Sequence, residues 1–169
     1  MVAGVAVSRA ISSYGIDARI KWSNDILIHD KKVGGILTEV DMDGTREDCI
    51  VGIGINLNVA QSEFPEEIRD IATSVMAELG EEIPQEEFIC RLLDEFENVY
   101  DRFRAEAFDE IMDEWRRRSS TIGKLVRIRT VGSTFEGEAV GIDREGALIL
   151  ELTNGSLVKV VSGECTHLW

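Results

Sequence analysis

The apolar positions divide the chain into three stretches. Over residues 2–14, Val2, Ala6, Ala10 and Tyr14, with Val5 and Val7 beside them, recur at helical spacing, which predicts a helix closed by Gly15. From residue 18 the pattern shortens. Ala18–Trp22, Ile26–Ile28, Gly35–Asp41 and Cys49–Leu57 are β-branched runs separated by turn residues, and they predict strands. Asp30-Lys31-Lys32 and Asp43-Gly44 are the expected hairpin turns, the second because Asp-Gly tolerates positive φ. In the last strand Val51, Ile53, Ile55 and Leu57 alternate with Gly52, Gly54 and Asn56. One face is therefore aliphatic and the other nearly bare, which suits close backbone packing or a ligand.

The period then lengthens and shortens again. Residues 66–79, ended by Gly80, predict one helix. Residues 85–105 predict a longer one, with Phe88, Ile89, Leu92, Leu93, Phe96, Val99, Tyr100 and Phe103 as core. Residues 107–118 predict a third, whose closing Arg116-Arg117-Arg118 complements the helix dipole. From Gly123 the period is two. Leu125–Val131, Phe135–Ile142, Ala147–Leu152 and Leu157–Val161 alternate between turns at Gly132-Ser133, Arg144-Glu145-Gly146 and Asn154-Gly155, and predict a small closed barrel of four or five strands. Ser119-Ser120-Thr121 is the expected joint.

Composition narrows the function classes. The 169 residues are 44% apolar, enough for a core, and carry a net charge of −14. Residues 60–118 hold 18 acidic and 7 basic groups, so the acidity belongs to the helical middle and reads as a solvated face. No basic patch is dense enough to grip phosphate backbones, so nucleic acid is not an expected partner. No apolar run nears the roughly 18 residues of a membrane span, and no membrane association is expected. Cys49, Cys90 and Cys165 are odd in number and far apart. They indicate neither a disulfide framework nor a zinc site but a reducing, cytoplasmic setting, with Cys49 and Cys90 as small core residues. His29 and His167 stand isolated, without partners at metal-ligand spacing.

Three clusters could carry chemistry: Lys21-Trp22-Ser23-Asn24-Asp25, Lys32-Val33-Gly34-Gly35-Ile36-Leu37 and Gly52-Ile53-Gly54-Ile55-Asn56. Singly each has a structural explanation: a strand end, a bulged hairpin, a close-packed strand. Together they suggest a pocket for an anionic small molecule. Glycines let backbone approach a ligand, Lys21 and Lys32 supply positive charge, and Asn24 and Asn56 offer neutral donors and acceptors. A lysine beside a phosphoryl centre stabilises charge building on the transferring group.

The order and spacing of KWSND, KKVGGIL and GIGINLN resemble the biotin–protein ligases. The likeness extends over Ala72-Thr73-Ser74, the long helix, the Trp115 helix, the Gly123-Lys124-Leu125-Val126 entry and the Ser162-Gly163-Glu164 ending. It implies an α+β fold: part of a class II synthetase-like mixed sheet with packed helices over 1–121, and an SH3-like β-barrel over 122–169. It implies a two-step reaction, in which ATP activates biotin to biotinyl-5′-AMP and a lysine of a carboxylase's biotin carrier domain takes the biotinyl group. By the same resemblance Lys32 is catalytic, meeting the carboxylate and α-phosphate. Asn24 and Asp25 lie near the phosphates and incoming amine. Asn56 lies by the phosphates and their Mg²⁺, which no side chain ligates directly. Gly35, Gly52, Gly54 and Ile55 line the pocket. Lys21 supports its strand, and Trp22 is open between core and pocket wall.

Three departures matter. Ser23 replaces the family's usual proline, and Trp169 stands where relatives continue with an arginine. The family's upstream Gly/Arg-rich loop has no counterpart before Lys21. The resemblance therefore implies a ligase lacking the N-terminal part of its catalytic domain, weak or inactive alone, and associating with a second copy or with the missing part. The alternative is a non-catalytic, ligase-derived binding or dimerisation module.

Overall fold

The computed structural model describes residues 1–42 and 47–168, so the Asp43-Gly44 turn and Trp169 lie outside the described residues. Helix α1 (Val2–Ser12) is built from small and aliphatic residues, and Val5, Ala6, Val7, Ser8, Ala10 and Ile11 are fully buried. A helix apolar on every side belongs in the interior. Its cap is Ser13, and Gly15, at φ +82°, turns the chain into the first strand rather than capping the helix.

Strands β1 (Ala18–Lys21), β2 (Asp25–Ile28), β3 (Lys31–Met42) and β4 (Glu47–Ile55) form a meander in the order β1-β2-β3-β4, antiparallel throughout. The mixed sheet expected from the resemblance is not formed. Among the described residues, parallel pairing occurs only as isolated bridges, Ile20 with Ser119 and Lys32 with Ala72. The β2–β3 turn is His29-Asp30, both at positive φ, one residue earlier than expected. The β2–β3 register shifts between Ile26 and Leu27, which pair with Gly34 and Lys32, so Val33 is an extra residue in β3.

The predicted helix over 66–79 is replaced by turns and a short helix. Residues 66–71 are turns, Ala72 and Thr73 lie along β3, and only α2 (Val75–Leu79) is helical. Ser74 Oγ caps α2 by accepting from Ala77 N–H, and Gly80 closes it at φ +85°. Helices α3 (Gln85–Arg104) and α4 (Phe108–Arg118) pack on α1. Their knot is the buried Glu114, held by Arg9 at 2.5 and 2.6 Å, Arg102 at 3.0 Å and Arg118 at 3.2 Å. Arg116 pairs with Asp113, so two of the three terminal arginines are engaged on their own helix. Only part of the predicted α3 core is core. Phe88 and Val99 are buried, whereas Ile89, Leu93, Tyr100 and Phe103 are exposed. A helix with apolar residues on two faces turns one outward when a single layer covers it. Cys49 and Cys90 are also exposed, contrary to expectation; Cys49 sits on the outer half of the β3–β4 ribbon and Cys90 on the outer side of α3.

Strands β5 (Leu125–Arg129), β6 (Thr134–Ile142), β7 (Leu148–Leu152), β8 (Leu157–Val160) and β9 (Glu164–His167) form a second antiparallel sheet in the order β8-β7-β6-β5-β9. It is open where a closed barrel was expected. The chain leaves β8 and returns to pair β9 with β5, so β8 and β9 form opposite edges. Val126, Ile128, Ala139, Leu148, Leu150 and Cys165 make its core. Trp22 ties the two sheets: it is buried, its N–H donates to Thr121 Oγ1 (3.0 Å) and its indole N–H to Gly146 O (3.1 Å).

Candidate functional site

One cleft of about 540 Å³ lies against the β3–β4 pair. That volume suits a small-molecule site of a few hundred cubic ångströms. One wall carries Lys32, Gly34, Gly35, Gly54, Ile55 and Asn56, and the facing wall is Phe64, Ile68, Ile71 and Ala72. The facing wall is fastened to β3 by its backbone: Lys32 N–H donates to Ile71 O (2.8 Å) and Thr73 N–H to Lys32 O (2.9 Å).

The extra residue in β3 places the lysine. In a regular strand residues 32 and 35 face opposite sides. With Val33 bulged they share one, and a Cβ built on Gly35 would lie 3.5 Å from Lys32 Nζ. Gly35 pairs with Gly54, where an added Cβ would meet nothing nearer than 3.9 Å, so this part of the ribbon is open to the cleft. Gly34 is different. A Cβ there would lie 2.6 Å from Gly54 O, so this glycine serves strand contact.

The charges gather around one carboxylate. Asp25 Oδ1 lies 2.5 Å from Lys32 Nζ and its Oδ2 lies 4.0 Å from Lys21 Nζ. Two ammonium groups on one carboxylate leave a net positive charge at the cleft in a chain of net −14. Lys32 is half exposed and Asp25 largely covered. Asn56, also lining the cleft, is fixed by three bonds: its N–H donates to Val33 O (2.8 Å), its amide Nδ2 to Thr73 O (3.0 Å), and its carbonyl accepts from Val75 N–H (2.9 Å).

Of the residues singled out from sequence, the cleft gathers Lys32, Gly35, Gly54, Ile55 and Asn56. Asp25 joins through Lys32, whereas Asn24 does not line the cleft and is tied to β3, its Nδ2 donating to Ile36 O (2.9 Å) and its carbonyl accepting from Ile36 N–H (2.9 Å). Gly52 does not line it; it pairs with Leu37 farther along the ribbon. Trp22 belongs to the core. The Trp22–Ser23 peptide bond is cis. Sequence reasoning missed the apolar wall of Phe64, Ile68 and Ile71, which periodicity assigned partly to a helix. It also missed that His29 is partnered: its Nδ1 lies 2.8 Å from Glu78 Oε2. Among the described residues no three His, Cys, Asp or Glu side chains cluster to hold a metal ion. No helix there is long and apolar enough to cross a membrane.

Comparison with known proteins bears on both halves of the chain. Residues 1–56 match the Biotin/lipoate A/B protein ligase family, and residues 121–168 match the Biotin protein ligase C terminal domain. The Bifunctional ligase/repressor BirA of Bacillus subtilis is 42% identical over 97% of this chain and 51% of its own length. The Biotin–[acetyl-CoA-carboxylase] ligase of Mycobacterium tuberculosis is 34% identical over 99% of this chain and 61% of its own. The chain thus spans about half the length of the first of these relatives. A biotin protein ligase from Aquifex aeolicus, in complex with biotin and ATP, superposes with a TM-score of 0.85 at 29% identity, covering 99% of this chain and 69% of that one. On these matches, and with its lysine, glycines and asparagine lining one cleft, the chain belongs to the biotin protein ligase family.

Proposed function

We propose that this chain supplies part of a biotin–protein ligase site, with the cleft beside Lys32 receiving biotin and ATP and releasing biotinyl-5′-AMP to a carrier lysine. The observation that supports it is the meeting of Lys32, Gly35, Gly54 and Asn56 on one wall, in a chain homologous to ligases and similar to a structure holding biotin and ATP. In the first step a biotin carboxylate oxygen bonds to the α-phosphorus and the bond to pyrophosphate breaks. In the second a neutral lysine amine of a carboxylase's carrier domain attacks the acyl carbon. AMP leaves with the bonding pair, and the amine's proton passes to solvent.

The role of Lys32 follows from charge. Two anions must approach each other, and an ammonium at their meeting point lowers that repulsion most where water is excluded. Asp25 holds the ammonium in place while Lys21 offsets the carboxylate's charge. Gly35 and Gly54 admit the ligand to the strands, and Ile55 with the apolar wall covers its uncharged part. Asn24 and Asn56 serve the polar ends. Among the described residues no carboxylate lines the cleft, so Mg²⁺ fits as an ion brought by the nucleotide phosphates, with Asn56 as its neighbour. When bound it neutralises phosphate charge. We place the catalytic part in residues 1–121 and the second sheet in a domain of residues 122–169, in a reducing cytoplasmic setting.

A second reading, association through this chain's surfaces without chemistry, is favoured by one observation. Leu37, Val40 and Ile50 on the ribbon, and Leu93, Tyr100 and Phe103 on α3, are exposed. Contiguous exposed apolar surface commonly marks a contact with a second copy or another chain. Titrating the 169-residue chain with biotinyl-5′-AMP by calorimetry, with amide chemical shifts recorded alongside, separates the two. Saturable binding that moves the signals of Lys32, Gly35, Gly54 and Asn56 supports the ligase site. Absence of binding at millimolar adenylate, or shifts confined to α3, rejects it.

A further inference from the structure

The wall opposite β3 is held by a circuit of side chains outside the cleft. Thr73 is fully buried, and its backbone grips both functional positions at once: its N–H donates to Lys32 O (2.9 Å) and its carbonyl accepts from Asn56 Nδ2 (3.0 Å). Where Thr73 sits along β3 therefore decides how Asn56 is presented relative to Lys32. The Thr73 hydroxyl donates to Glu78 Oε1 at 2.6 Å, and the second oxygen of that carboxylate lies 2.8 Å from His29 Nδ1. His29 opens the β2–β3 turn, three residues before Lys32. The path Lys32–Thr73–Glu78–His29 thus closes on the hairpin that carries the lysine.

Glu78 lies in the first turn of α2, where a carboxylate suits the helix dipole, but that placement alone does not call for its two side-chain partners. The helix is five residues long and already capped by Ser74. Glu78 is largely covered, with both oxygens engaged. A hydrogen bond to a charged acceptor is roughly twice as strong as a neutral one, so Glu78 fixes Thr73 more firmly than a neutral partner would. We infer that Glu78 is a positioning residue of the cleft: through the Thr73 hydroxyl it sets the separation of Asn56 and Lys32, with His29 steadying its other oxygen. The inference rests on the ligase reading for the ligand, though not for the geometry.

Three variants test it on the full 169-residue chain, with biotinyl-5′-AMP as probe and the Asn56 side-chain amide signal as a ligand-free readout. Thr73→Val is nearly isosteric and removes the hydroxyl, whereas Thr73→Ser keeps it. Glu78→Gln keeps the shape and removes the charge. Thr73→Val and Glu78→Gln are expected to shift the Asn56 amide resonance, speed its hydrogen exchange and weaken adenylate binding about tenfold, the loss expected for one charge-assisted hydrogen bond. Thr73→Ser is expected to match the wild type. If the wild type binds and Thr73→Val and Glu78→Gln bind equally well with an unmoved Asn56 amide, the positioning role is wrong. An unmoved Asn56 amide in those variants overturns it even without a ligand. Failure of the wild type to bind, with the amide shifts still present, counts against the ligase reading and leaves the circuit standing.

Discussion

Lys32 Nζ and Asp25 Oδ1 lie 2.5 Å apart, joining the first residue of β2 to the second residue of β3 beside the cleft. Lys32 is half exposed, so the pair adds little to stability, about 0–1 kcal/mol. Its use is to hold an ammonium in place. Lys32→Ala is expected to weaken biotinyl-5′-AMP binding at least about tenfold while the melting temperature moves by only about 2 °C. Asp25→Asn keeps the ammonium and loses its anchor, so binding should fall by less. Calorimetry and thermal unfolding on the two variants check both statements. Adenylate affinity unchanged in Lys32→Ala would remove the lysine from the proposed site.

The paired glycines of the ribbon should separate fold from site. Gly34 lies so near Gly54 O that an added Cβ would stand 2.6 Å away. Gly34→Ala must push the strands apart, and overpacking of this kind costs about 1–3 kcal/mol. Gly54 has open space, with 3.9 Å to the nearest atom, so Gly54→Ala should fold normally and instead narrow the cleft. Urea unfolding and adenylate binding are expected to dissociate: Gly34→Ala loses stability, Gly54→Ala loses affinity. Equal stability loss in both would contradict the division.

How far this arrangement was legible in the sequence depended on the range of the forces involved. The alternation of Val51, Ile53 and Ile55 with Gly52 and Gly54 is local, and it gave both the strand and its bare face. The Gly34-Gly35 pair signalled a bulge, which formed one residue earlier at Val33. The helix expected over 66–79 starts only at Val75, because Ala72 and Thr73 are claimed by a bridge to Lys32, forty residues away in sequence. Such pairing leaves no periodic trace. Helical spacing gave α3, yet it could not say whether Ile89, Leu93, Tyr100 and Phe103 or Phe88 and Val99 would meet α1. Short strands after Gly123 gave the second sheet, and only the return of β9 to β5 decided that its edges stay apart.

Thiol chemistry follows from the same placement. Cys49 and Cys90 are exposed, whereas Cys165 is buried and burial pushes its thiol up to about 11. The thiolate is the reactive form, so Cys165 should resist alkylation at pH 8. Iodoacetamide with mass spectrometry is expected to find two rapid modifications and a third only after denaturant is added. Modification of Cys165 at the rate of the other two would show that the core of the second sheet opens freely.

Acid should loosen the molecule in two windows. His167 is held near pKa 4, first by burial and then by the charges of Lys124 and Lys21, so its ring is neutral at pH 7. A neutral Nε2 can accept from the Thr121 hydroxyl at 3.3 Å, and that hydroxyl oxygen accepts from Trp22 N–H. Unfolding returns the ring to its ordinary 6.5, so the unfolded chain binds the extra proton, and stability falls as pH drops from about 6.5 to 4. Glu114 acts lower. The hydrogen bond from Arg9, with those from Arg102 and Arg118, outweighs burial and holds its carboxyl at about 2 against 4.5. Its contribution, about 3 kcal/mol from that shift, is complete above roughly pH 4.5 and lost as pH falls through 2. Urea unfolding between pH 7 and 2 should therefore show two declines. His167→Gln should flatten the upper one and Glu114→Gln the lower, the latter at a cost in stability at pH 7 because three arginines lose their carboxylate. If Glu114→Gln leaves the acid limb below pH 4.5 unchanged, the knot joining α1, α3 and α4 does not have the electrostatic weight given to it.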